Sequence, residues 1–191
     1  MHDHQDRPPG EPLAALLDSY SAADGIEAQD IARLTQLIRS GQDPWARSTP
    51  LHATASALIV HPDGGEVLLR WHQRQQGWLQ VGGHADPGEA DPLGIALREA
   101  QEETGLPDLR PWPTPDLRHV VIVPVPAGKG EPAHEHADLR FVLATSEPGA
   151  IVAEHPSAPL RWLPADAARQ ATTEANLRET LSRVQRLLAG G

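Results

Sequence analysis

The chain has 191 residues, no cysteine and a formal net charge of −10. Its length supports one substantial hydrophobic core with room for an appendage. The composition excludes disulfides and thiolate metal centres, and the acidity argues against binding nucleic-acid polymers, which needs a basic footprint.

Residues 1–12 are polar, carry three prolines and lack the apolar stretch of a signal peptide, so a disordered tail is expected there. Residues 13–50 read as an N-terminal helical extension. Leu13, Leu16, Leu17 and Tyr20 form one stripe, and Ile31, Leu34 and Ile38 form another. Asp24-Gly25 separates them and Ser40-Gly41 ends the second, which predicts a helical hairpin. Two short amphipathic helices must bury their apolar faces against something. A cover for the main domain, a substrate lid and a dimerisation element are all open, and a homodimer is expected.

Residues 51–191 read as one α/β domain. An apolar run over 53–60, the turn 61–65 and a second run over 66–71 predict a hairpin. Residues 78–81 lead as a strand into Gly82-Gly83. A helix follows, with Asp91 as N-cap, Pro92 in its first turn and Gly105 as the left-handed stop. Leu93, Ala96, Leu97, Ala100 and Thr104 form its expected buried stripe. Further strands are predicted near 117–125, 139–145 and 160–162, and an amphipathic helix over 173–189 uses Leu177, Leu181, Val184 and Leu188. No apolar run approaches the length of about 18 residues that a membrane span needs, and a cytoplasmic location is expected.

The helix after Gly82-Gly83 carries Glu99, Glu102 and Glu103 on one face. Negative charges at this spacing repel one another, and in the last turn they oppose the helix dipole by roughly 0.3–1 kcal/mol each. No lysine or arginine stands four residues beyond any of them. A bound Mg²⁺ or Mn²⁺ would relieve the conflict, because hard cations take carboxylate oxygens.

The segment 82–106, GGHADPGEADPLGIALREAQEETGL, resembles the signature of the Nudix hydrolase family. That pattern runs Gly, five residues, Glu, seven residues, then Arg-Glu-apolar-x-Glu-Glu-x-Gly-apolar. Residues 98–106 match throughout, and Gly83 and Glu89 match in the first half. The spacer from Glu89 to Arg98 is eight residues instead of seven, which puts the role of Glu89 in question. The resemblance covers roughly residues 51–189. It implies a Nudix α/β/α sandwich with a mixed sheet. It also implies Mg²⁺- or Mn²⁺-dependent hydrolysis of a nucleoside diphosphate linked to another moiety, by water attack on phosphorus. Glu102 and Glu103 are then metal ligands. Glu99 is a third ligand or the general base, Gly82 lends its carbonyl to the metal, and Arg98 orients a carboxylate such as Glu89. The competing reading is a Nudix-fold binding or regulatory module without catalysis, against which the complete carboxylate set weighs. An isoprenoid diphosphate isomerase on this fold is disfavoured by the absence of cysteine.

Other polar residues are candidates for substrate binding. In an extended segment His136, Asp138 and Arg140 share one face, able to read a phosphate or sugar or to form a plain surface ladder. His134 and His136 form a His-x-His pair, but without cysteine or a third spaced ligand they do not specify zinc. His84 follows the glycines. Trp78 and Gln80 precede them, and Arg70 and His72 end a neighbouring strand, on which Trp71 is expected in the core. Glu147 and Glu154 are candidate late-loop bases or ligands.

Overall fold

The computed structural model of the chain describes residues 9–128 and 130–190. Most of the expected tail, residues 1–8, lies outside the described residues, but α1 (Glu11–Ser19) begins two residues earlier than expected, taking the last two residues of that tail into a helix. In α2 (Gly25–Arg39), Asp24 is the N-cap and accepts from the amides of Ile26 and Glu27. The helical hairpin expected from the two apolar stripes is therefore present.

The main domain is built on an eight-stranded mixed sheet. At its centre β1 (Leu51–His61) runs parallel to β7 (His134–Ala144), in register from Leu51 opposite Glu135 to Val60 opposite Ala144. The other pairings are antiparallel. β2 (Glu66–His72) returns beside β1 and also pairs with β3 (Gly77–Leu79) and β8 (Leu160–Pro164). β4 (Val81–Gly83) pairs with the middle of β1. β6 (His119–Val125) and the two-residue β5 (Arg110–Pro111) pair with β7.

Alternation along β1 sorts its side chains between two cores. Ala53, Ala55, Ala57 and Ile59 belong to one core with Ile95, Ala96 and Ala100 of α3 (Pro92–Thr104) and with Leu13, Leu17 and Leu34 of the N-terminal helices. The row of alanines lets α3 lie close to the strand. Leu58 and Val60 belong to the other core, with Ala168 of α4 (Ala165–Ala171) and Leu177, Leu181 and Val184 of α5 (Ala175–Ala189). The result is an α/β/α sandwich.

Three expectations need adjustment. The buried stripe of α3 is Pro92, Ile95, Ala96, Ala100 and Thr104, while Leu93 and Leu97 are only partly covered. β7 starts at His134 rather than near 139, because its first residues are polar and carry no hydrophobic signal. Trp71 is half-buried and meets Trp78 edge-on, with ring centroids 5.5 Å apart. α4 and β5 were not foreseen, since both are too short to show a period.

Candidate active site

α3 carries the carboxylates because both its ends are well specified. Asp91 accepts from the Gly94 amide, and Gly105 closes the helix at φ 66°. Gly83 of β4 lies directly beneath Glu99, and a Cβ at that position would come within 2.7 Å of its carboxylate. Gly82 sits at φ 146°, and its amide donates to Glu103 Oε2 at 3.1 Å. A Cβ at Gly82 would fall 2.5 Å from the Ser56 backbone. The two glycines are thus what allows strand, helix and carboxylates to approach.

Arg98 organises the acidic residues. Its Nε and Nη2 grip Glu89 at 2.9 Å each, and Nη2 also donates to the His84 carbonyl at 2.8 Å. Its Nη1 donates to Glu99 Oε1 at 2.9 Å and Glu102 Oε2 at 3.0 Å. Just before Glu89 the chain turns: Gly88 adopts φ 90°, and the Glu89 amide donates to the Asp86 carbonyl. Glu89 therefore reaches Arg98 despite the extra residue, and this pairing holds its carboxyl below the usual range. Burial pushes the Glu99 carboxyl up, against the pull of Arg98.

Glu103 is the most enclosed of the set. Burial pushes its carboxyl up to about 7, although Arg70 and the Gly82 amide favour its charge. Arg70 Nη1 lies 3.2 Å from Glu103, and Nη2 lies 3.4 Å from Glu154. Arg70 and Glu154 thereby join the carboxylate centre. Glu147 begins the short turn 148–150 and is exposed.

A family model of the NUDIX domain matches residues 50–184. The chain belongs to the Nudix family. A "Probable DHNTP pyrophosphohydrolase" of Lactococcus lactis is 33% identical over 106 residues, covering 56% of this chain and 61% of that protein. A mitochondrial coenzyme A diphosphatase of Mus musculus is 34% identical over 120 residues, covering 56% of this chain and 57% of that protein. The chain thus spans about three fifths of the length of these curated relatives. A C. elegans Ap4A hydrolase structure superposes with a TM-score of 0.59 at 22% identity, covering 73% of this chain and 98% of that one, which shows a shared fold.

Beside the Nudix glycines opens a cleft of about 930 Å³. His72, Gln80, Gly82, His84, His136, Asp138 and Arg140 line it. Trp78 and Arg70 do not: Trp78 packs on Trp71 and the α5-side core, and Arg70 faces Glu103. Asp138 and Arg140 are buried rather than a surface ladder. Asp138 accepts from Thr54, Ser56, Gln80 and Arg140, and Arg140 also donates to Thr180 and Asn176. This network ties β1 and β7 to α5 and forms the cleft floor.

Sequence reasoning missed His52. The parallel register sets it directly opposite His136, and with His84 it completes a three-histidine cluster. Nothing in the linear spacing of residues 52, 84 and 136 signals that encounter. Burial lowers all three imidazoles below the usual histidine value, His84 to about 3 and His136 to about 4.

Proposed function

We propose that this Nudix chain is a divalent-metal-dependent hydrolase that cleaves a pyrophosphate linkage in a nucleoside diphosphate joined to another moiety. The observation that carries the reading is the placement of Glu99 against Gly83 and of Glu103 against Gly82, with Glu102 joined to Glu99 through Arg98, beside a cleft large enough for a nucleotide. The relatives named for dihydroneopterin triphosphate, coenzyme A and Ap4A point to small substrates of this class.

The donor set fits a hard cation. All candidate side-chain ligands are carboxylate oxygens, and Arg98 engages one oxygen of Glu99 and one of Glu102. Among the described residues, Asp86, Glu89, Glu99, Glu102, Glu103 and Glu154 face only two guanidiniums, those of Arg70 and Arg98. Glu99, Glu102, Glu103 and the Gly82 carbonyl would hold Mg²⁺ or Mn²⁺, which supplies charge neutralisation for the phosphoryl oxygens.

The chain's own residues do the rest. Arg98 fixes the orientation of Glu99, and Glu99 accepts the proton of the attacking water. The new O–P bond forms as the bridging P–O bond breaks, and the leaving phosphate keeps the electron pair. Gln80, His72 and His84 line the cleft where the remainder of the substrate lies.

A panel of nucleotide sugars, dinucleotides, CDP-alcohols, coenzyme A and oxidised nucleoside triphosphates, each with Mg²⁺ and Mn²⁺, tests the reading. Release of phosphorylated fragments from at least one, abolished by chelation, is expected. Turnover that survives chelation, or none across the panel, would reject it.

A further inference from the structure

His52, His84, His134 and His136 come from three separate places in the fold: β1, the loop after β4, and β7. Their rings converge beside the cleft, with neighbouring centroids 4.8–5.3 Å apart. The Nε2 of His84 lies 3.1 Å from that of His52 and 3.3 Å from that of His136, and the Nε2 of His134 lies 3.1 Å from that of His136.

The proton arrangement makes this convergence informative. His52 Nδ1 meets the Thr49 carbonyl at 2.9 Å, and His134 Nδ1 meets the Pro132 carbonyl at 2.9 Å. A carbonyl only accepts, so each Nδ1 carries the hydrogen, and in the neutral ring each Nε2 is left with a bare lone pair. With all four rings neutral, no placement of the remaining hydrogens satisfies the three Nε2 contacts. If His84 and His136 donate outward to His52 and His134, the 3.3 Å contact between their own Nε2 atoms is left without an acceptor. Any other placement sets lone pair against lone pair. A cation among the Nε2 atoms removes the conflict. The Nδ1-to-carbonyl bonds are also the outer partners that orient metal-binding histidines.

We propose that His52, His84 and His136 form a second metal site, selective for a divalent transition ion of the zinc class and separate from the α3 carboxylates. Their ligand atoms all lie within 4.8 Å of one another. Zn–N bonds of about 2.0–2.1 Å in tetrahedral geometry place ligand nitrogens about 3.3 Å apart, close to the 3.1 and 3.3 Å that separate His84 from His52 and His136. Imidazole nitrogen suits zinc, copper or nickel, whereas Mg²⁺ takes oxygen. Such an ion would tie the loop after the Nudix glycines to β1 and β7, fixing one wall of the cleft.

Cobalt(II) is the probe, since tetrahedral nitrogen coordination gives it an intense visible absorption that six oxygen ligands do not. Full-length protein, freed of metal by chelation, should develop that band with one equivalent of Co²⁺ and should unfold at higher temperature with Zn²⁺. Glu103→Gln should keep both effects, which separates this site from the carboxylates. His84→Ala and His136→Asn, made separately and checked for folding by circular dichroism, should each lose both. Two variants guard against one failing to fold. An absent band in the wild type overturns the proposal. So does a band undiminished in the folded histidine variants, which would trace binding to other ligands such as His2 and His4.

Discussion

At the scale of single residues, the carboxylate centre depends on the missing side chain of Gly83 as much as on the acids. A methyl at Gly83 must displace Glu99, whose carboxylate lies 2.7 Å from where it would sit. Displacements of about 1 Å in a reacting group cost roughly 10²-fold in rate. Gly83→Ala should therefore lose activity on that order without unfolding; near-wild-type kcat would mean Glu99 does not act from this position. Glu99→Gln tests the same residue directly and should lower kcat by roughly 10²–10⁴-fold while KM changes little. If kcat instead stays near normal, Glu154, joined to the centre through Arg70, becomes the base to examine. Glu103→Gln should abolish the thermal stabilisation that millimolar Mg²⁺ gives the wild type, read by calorimetry. These acids were legible in the sequence because one helix carries them all, so that period and caps suffice to group them. The histidines were not legible: only the register between β1 and β7 makes neighbours of His52 and His136. Asp138 and Arg140 were picked out by alternation alone, which reveals a shared face but not that the face is buried.

At the scale of elements, α2 is held against β6 and α5 by one buried carboxylate. Glu27, 2% exposed, accepts from Tyr20 Oη at 2.6 Å, from the amides of Ala23 and Val120 at 2.7 and 2.9 Å, and from Arg183 Nη1 at 3.1 Å. Burial opposes its charge, but Arg183, Tyr20 and the two amides prevail and hold the carboxyl down at about 2. A carboxyl with a lowered folded-state pKa adds stability that is complete above its unfolded value, near 4.5, and is lost as pH falls toward 2. Glu27→Gln should destabilise the protein by up to about 3–5 kcal/mol near neutrality, because Arg183 loses its buried partner and keeps only the half-exposed Glu179. It should also flatten the loss of stability between pH 4.5 and 2 in urea titrations. Equal acid sensitivity in variant and wild type would show that another group governs that window. The helix periods announced α2, but Glu27 reads in the sequence as an ordinary first-turn acid, favourable to the helix dipole. Two of its partners, Val120 and Arg183, lie 93 and 156 residues away along the chain, beyond the reach of local pattern.

At the scale of the whole molecule, the N-terminal helices close a sheet that would otherwise end in an open strand. β6 bonds to β7 on one side. On its other side Glu27 takes the Val120 amide and Asp30 takes the Ile122 amide at 2.9 Å, so side chains of α2 occupy donors that another chain could pair with. The same segment sends Leu13, Leu17, Leu34 and Trp45 into the core on the α3 side, and Arg33 pairs with Glu135 at the start of β7. Deleting residues 1–45 would uncover apolar surface and a strand edge together. The truncated chain should aggregate, or unfold at a markedly lower temperature than the full chain, as followed by light scattering and thermal melts. A truncated protein with unchanged melting temperature and solution mass would refute a covering role. Mass measured on the full chain by sedimentation also checks the expected homodimer. The two tests are independent, because the helices bury their apolar faces within their own chain and need no second copy to do so.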